Sequence, residues 1–92
     1  MTKETEIKKA IKDYFQVRHI DYFHNLAGIG AYKGISDLVF FHPIIHNIIF
    51  LEVKTPKGEL SEYQKKFRDM VEKHGYIYLV ARSIDDIIEY CK

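Results

Sequence analysis

Three charged residues sit where an apolar setting disfavours them. Asp37 lies in the apolar run 35–41, and Glu52 and Lys54 end the run 48–54; six residues, 42–47, separate the two runs. Two such runs with a loop of this length have the signature of a β-hairpin. If the loop closes symmetrically, Phe41 faces Ile48 and Asp37 falls opposite Glu52, with Cβ atoms ~4.5–5.5 Å apart. Side chains alternate along a strand, so Lys54 projects on the same face as Glu52. Like charges facing each other across a sheet are unfavourable unless something positive lies between them. A divalent cation meets that need, and oxygen donors of this kind suit Mg²⁺ or Mn²⁺. The plainer alternative is an exposed face on which Lys54 bridges the two carboxylates as an ordinary salt bridge. Against it stands the run Ile48, Ile49, Phe50, Leu51, which reads as a strand buried on both faces. Charged residues rarely enter such a strand unless paired or bound to metal.

The elements that must hold these residues follow from periodicity. Ile7, Ala10, Ile11, Tyr14 and Phe15 recur at helical steps and predict an amphipathic helix over 4–16. Residues 20–26 read as a short strand, and the stretch 27–34 carries three glycines that allow a turn or a close approach to a ligand. A second helix is expected after Gly58. Ser61 and Gln64 have capping-box spacing, Tyr63, Phe67, Met70 and Val71 form its buried stripe, and Gly75 marks its end. A strand over 76–81 follows. Ser83 then opens a last helix with Ile84, Ile87, Ile88 and Cys91 on one face. The order is αβββαβα, an α/β layer of helices on a mixed sheet.

Two further residues have double readings. Glu4 shares the stripe of Ile7 and Ile11, so it either joins the acidic cluster or simply favours the helix N-terminus. Gln64 either completes a cap or, from a helix N-terminus just after the Lys54 strand, meets phosphate. The five histidines have no ligand spacing, and His42 and His46 belong to the hairpin loop.

Length and composition bound the rest. Ninety-two residues with 47% hydrophobic content fit a single domain, 1–92, that folds without staples. The lone Cys91 precludes an internal disulfide and fits a reducing compartment. No apolar run reaches the ~20 residues of a membrane span, and the charged start MTKETEIKKAIKDYF is no signal peptide. An intracellular protein without membrane contact is expected. A net charge of +1 does not announce a nucleic-acid binder. Basic residues do cluster locally, at Lys8, Lys9 and Lys12, and at Lys54, Lys57, Lys65 and Lys66.

Taken together, Gly34-Ile35-Ser36-Asp37-Leu38, the run Phe50-Leu51-Glu52-Val53-Lys54-Thr55-Pro56-Lys57-Gly58, and Leu60-Ser61-Glu62-Tyr63-Gln64-Lys65-Lys66-Phe67 resemble the VRR-NUC family of PD-(D/E)xK nucleases. That pattern is approximately G-x-x-D-L, E-V-K-T-P-x-G and L-S-x-x-Q-x-x-F. The likeness spans nearly the whole chain. One departure is Ser36, which stands where the superfamily's proline precedes the aspartate. The resemblance implies a restriction-endonuclease-like core with a mixed four-stranded sheet. It implies metal ligation by Asp37, Glu52 and the Val53 carbonyl, a contribution from Glu4, a catalytic Lys54 and a supporting Gln64. Lys33, Lys57 and Lys65 are the expected contacts to nucleic acid. Stand-alone members of this length resemble phage and bacterial enzymes that act as homodimers on branched DNA, including four-way junctions.

The expected reaction is phosphodiester hydrolysis dependent on Mg²⁺ or Mn²⁺, with Lys54 stabilising transition-state charge. Two other readings belong to different classes. One is a non-catalytic DNA-binding or assembly module on the same fold, which a metal-titrated cleavage assay separates. The other is an interaction protein whose charged cluster is only a salt bridge, which calorimetry of metal binding separates.

Overall fold

Side-chain alternation along four strands decides how this chain is layered. The computed structural model describes residues 3–25 and 32–92. Its elements are α1 (Glu4–Val17), β1 (Tyr22–His24), β2 (Leu38–Phe41), β3 (Ile48–Val53), α2 (Glu62–Lys73), β4 (Ile77–Ala81) and α3 (Ile84–Tyr90), the expected order. The sheet runs β1-β2-β3-β4, antiparallel except for the parallel pair β3–β4. It is the mixed four-stranded sheet flanked by helices that the sequence implies.

One face of the sheet carries Leu38, Phe40, Ile49, Leu51, Val53 and Ala81. These are buried against Ile7, Ile11 and Phe15 of α1 and against Ile87 and Cys91 at the α3 end. Each large apolar side chain fully buried here contributes roughly 1.5–3 kcal/mol. Truncating Ile11, with no exposed surface, would therefore cost about 2–5 kcal/mol. The opposite face is covered by α2, where the Phe67 ring lies 5.8 Å from Phe50 and 6.1 Å from Tyr78. The capping box that starts α2 is complete: Gln64 N–H donates to Ser61 Oγ at 3.2 Å, and Ser61 N–H donates to Gln64 Oε1 at 2.8 Å. Gly75, at φ +82°, follows the C-cap His74, a left-handed position that suits glycine. Among the described residues, no helix is long and apolar enough to cross a membrane.

Several expectations need correction. Tyr63 is not in the buried stripe of α2; it is 52% exposed. The ladder claims only Tyr22–His24 of the run 20–26 and only Leu38–Phe41 of the run 35–41, while Leu26, Gly28 and Gly30 lie outside the described residues. β3 is fully buried on the α1 side, but Ile48 and Phe50 on the α2 side are only half-buried, because one helix covers that face incompletely.

Candidate functional site

The hairpin has the symmetric register. Phe41 pairs with Ile48 and Leu38 with Leu51, so the next step places Asp37 opposite Glu52. Asp37 stands just before the first residue of β2, at the mouth of the ladder, and three contacts fix it there. Its Oδ2 accepts from the Val53 N–H at 2.8 Å, its Oδ1 accepts from Lys8 Nζ at 3.2 Å, and its carbonyl accepts from the Asn25 N–H at 2.9 Å. Ser36 is fully buried. Its hydroxyl donates to the Leu38 carbonyl at 3.2 Å and accepts from Asn25 Nδ2 at 3.3 Å. A hydrogen-bonded serine thus braces the approach to Asp37.

Glu52 is 2% exposed. Its Oε2 accepts from Gln64 Nε2 at 3.2 Å, whereas its buried Oε1, as an acceptor, finds no donor. Burial is the main force pushing its carboxyl up to about 8. Hydrogen bonding with Asp37 and the Asp37 charge push the same way, the Glu4 charge adds to them, and Lys54 opposes them. A buried carboxylate facing another needs either a proton or a cation. The proton answers the need in the metal-free chain.

The cap reading of Gln64 holds, and the structure adds a contact to Glu52 that neither reading named. One end of its amide closes the α2 cap and the other holds Glu52. Lys54 is half-buried, with its N–H bonded to the Ala81 carbonyl at 3.0 Å. Its charge reaches Glu52, yet among the described residues the ion pair to Asp37 comes from Lys8 instead. Among the described residues the simple Asp37–Lys54–Glu52 salt bridge is therefore not what forms. Lys8 is a site residue that sequence reasoning passed over as one of a basic cluster. Lying one turn beyond Glu4 on α1, it could have been found by extending the argument made for Glu4.

Do these residues fit a divalent ion? Asp37, Glu52 and the Val53 carbonyl offer hard oxygen atoms, and Glu52 Oε1 is an orphaned acceptor buried beside Asp37. Among the described residues, no three His, Cys, Asp or Glu side chains gather into a metal cage, so Glu4 stands near the pair without closing one. Mg²⁺ commonly binds through one or two carboxylates and retains several waters. The two-carboxylate set fits such an ion.

The surrounding surface is basic and aromatic. Tyr63, at the start of α2, has Lys33 Nζ 4.9 Å and Lys66 Nζ 5.6 Å from its ring centre. Lys65 pairs with Glu62 at 3.5 Å, and Lys57 is exposed in the turn after β3. Gly34 brings this surface close to Asp37. At φ +82° it lies so tightly on the first turn of α2 that an added Cβ would fall 2.2 Å from the Tyr63 carbonyl oxygen.

Comparisons with known proteins agree with this fold. A family model described as the VRR-NUC domain matches residues 3–85. A solved structure titled "VRR_NUC domain" is 26% identical, with each chain wholly covered and a TM-score of 0.80. A second, titled "VRR_NUC domain protein", shares the fold at 22% identity and a TM-score of 0.77, over 97% of this chain and 84% of its own. No protein of curated function matches the chain.

Proposed function

The chain belongs to the VRR-NUC domain family, a nuclease-type domain, and from that premise we propose that it is a metal-dependent endonuclease that hydrolyses phosphodiesters in branched DNA. One observation carries the reading: two carboxylates face each other at the end of a buried strand, one with an orphaned oxygen and within the field of the Lys54 charge. Asp37, Glu52 and the Val53 carbonyl would hold the ion. When bound, Mg²⁺ or Mn²⁺ supplies a Lewis acid for the scissile phosphate and a water of lowered pKa.

The chain's own residues do the rest. Lys54 presents positive charge to the phosphate as negative charge builds in the transition state. Lys8 holds Asp37 in place, and Gln64 orients Glu52 while anchoring α2. Glu4 lends charge to the cluster. Lys33, Lys57 and Lys65 are the proposed contacts to the DNA backbone, which dominates affinity for nucleic acid.

With a net charge of +1, a single copy has little basic surface for a long duplex. A two-fold homodimer doubles the phosphate contacts and offers two sites to a substrate with symmetry of its own, such as a four-way junction. The test is a metal titration of the purified protein against labelled four-way, flap, splayed and linear DNA, with mass measured by light scattering. Metal-dependent paired cuts in junctions and a mass near twice 10.9 kDa support the whole reading. Cleavage of linear duplex by a monomer overturns the junction and dimer assignments. No cleavage of any DNA with any divalent ion overturns the enzyme.

A further inference from the structure

Among the described residues, two buried side-chain polar atoms lack a hydrogen-bond partner: Glu52 Oε1 and the Tyr78 hydroxyl. They lie on neighbouring strands. In the parallel register Phe50 pairs with Tyr78 and Glu52 with Val80, so Glu52 and Tyr78 are diagonal neighbours. Alternation puts Phe50 and Glu52 on one face of β3, and the ring of Phe67 from α2 lies against Phe50 and Tyr78 alike. Diagonal positions in a sheet are ~7–8 Å apart, within the reach of a tyrosine. Of the charges that act on the Tyr78 hydroxyl, Glu52 is the strongest, followed by Asp37, with Arg68 opposing them.

The two orphans are chemically complementary. As a metal ligand Glu52 is ionised, and its oxygen then only accepts, while a phenol has one O–H to give. Left alone, each costs about 1–3 kcal/mol. Packing alone would be served by phenylalanine, the residue at both neighbouring ring positions, Phe50 and Phe67. The hydroxyl is what Tyr78 adds.

We propose that Tyr78 is a positioning residue of the metal site, its hydroxyl donating to Glu52 Oε1 through one buried water. This rests on reading Asp37 and Glu52 as metal ligands. Gln64 grips Oε2 from α2, and Tyr78 restrains Oε1 from β4. The carboxylate is held by both oxygens, and each keeps a lone pair for an ion. Donors behind a ligand align it and raise its affinity for metal.

The test measures Mn²⁺ binding by calorimetry in the wild type, Tyr78→Phe and Asp37→Ala, together with urea unfolding of each. Tyr78→Phe keeps the ring packing, so its metal-free stability should stay close to wild type while Mn²⁺ affinity falls about tenfold or more. Asp37→Ala should abolish binding. In the wild type, Mg²⁺ should also produce a near-ultraviolet tyrosine difference spectrum that Tyr78→Phe loses, a readout that does not depend on the variant's stability. Mn²⁺ affinity in Tyr78→Phe within twofold of wild type, or an unchanged difference spectrum, overturns the role of Tyr78 and leaves the metal site standing. A wild type that binds no Mn²⁺ overturns the metal site itself.

Discussion

Glu52→Gln should make the metal-free protein more stable at alkaline pH while destroying its capacity for metal. Moving a carboxyl from 4.5 to about 8 penalises its charged form by at most about 5 kcal/mol, at about 1.4 kcal/mol per pH unit. Relaxation and water entry reduce such a penalty, so about 2–4 kcal/mol is expected in practice. The direction follows from linkage: Glu52 holds its proton more tightly folded than unfolded. Its stabilising contribution is complete below pH 4.5 and is lost as pH rises through about 8. Glutamine has no proton to lose. Its amide can donate to Asp37 while its oxygen accepts from Gln64, so the local bonding survives. Urea or thermal unfolding in EDTA, from pH 4 to pH 9, should give curves that converge at the acidic end. They should diverge by roughly 10 °C or more in Tm at the alkaline end, given about 4–8 °C per kcal/mol for a domain of this size. Saturating Mg²⁺ should then recover the wild type and leave Glu52→Gln unmoved. Parallel curves across this range would refute the idea that Asp37 and burial hold Glu52 in its protonated form.

Gln64→Glu should lose both activity and alkaline stability, because a carboxylate would replace the amide that now donates to Glu52; cleavage assays and pH-dependent melts check this, and wild-type values in both would sink it. Lys54→Ala should retain Mn²⁺ binding by calorimetry while kcat falls about 10²–10³-fold, the usual worth of a group aimed at transition-state charge. Asp37→Ala should show no divalent-dependent cleavage while its circular dichroism spectrum stays that of the wild type. Gly34→Ala should cost about 3 kcal/mol or more in urea denaturation, since it meets both a left-handed φ and the Tyr63 carbonyl.

The hairpin was legible because side-chain period and loop symmetry allow only one register that buries Leu38, Phe40, Ile49 and Leu51 together. Once Phe41 faces Ile48, the encounter of Asp37 with Glu52 is geometry. Gln64 was half legible: the capping box is local, but the other end of its amide meets a residue twelve positions away through tertiary packing. Tyr78 was not legible at all, because the register of a parallel pair joined through a helix leaves no mark in either strand. Tyr63 misled for a related reason. Its spacing puts it on an apolar stripe, but it is 52% exposed, and the ring stays in solvent between Lys33 and Lys66.

The contact of Gly34 with the Tyr63 carbonyl has a consequence for the order in which the molecule assembles. The hairpin that brings Asp37 to Glu52 is local and closes over a short stretch of chain. The parallel pairing of β4 and the docking of α2 are non-local and slower by nature. Gly34 and Tyr63 meet only at that second stage, the one that also delivers Gln64 and Tyr78. A nascent or partly unfolded chain would therefore own both acidic residues without the parts that discipline them. The site proposed for cleavage would be complete only with the last joint to close and be the first thing surrendered when that joint opens.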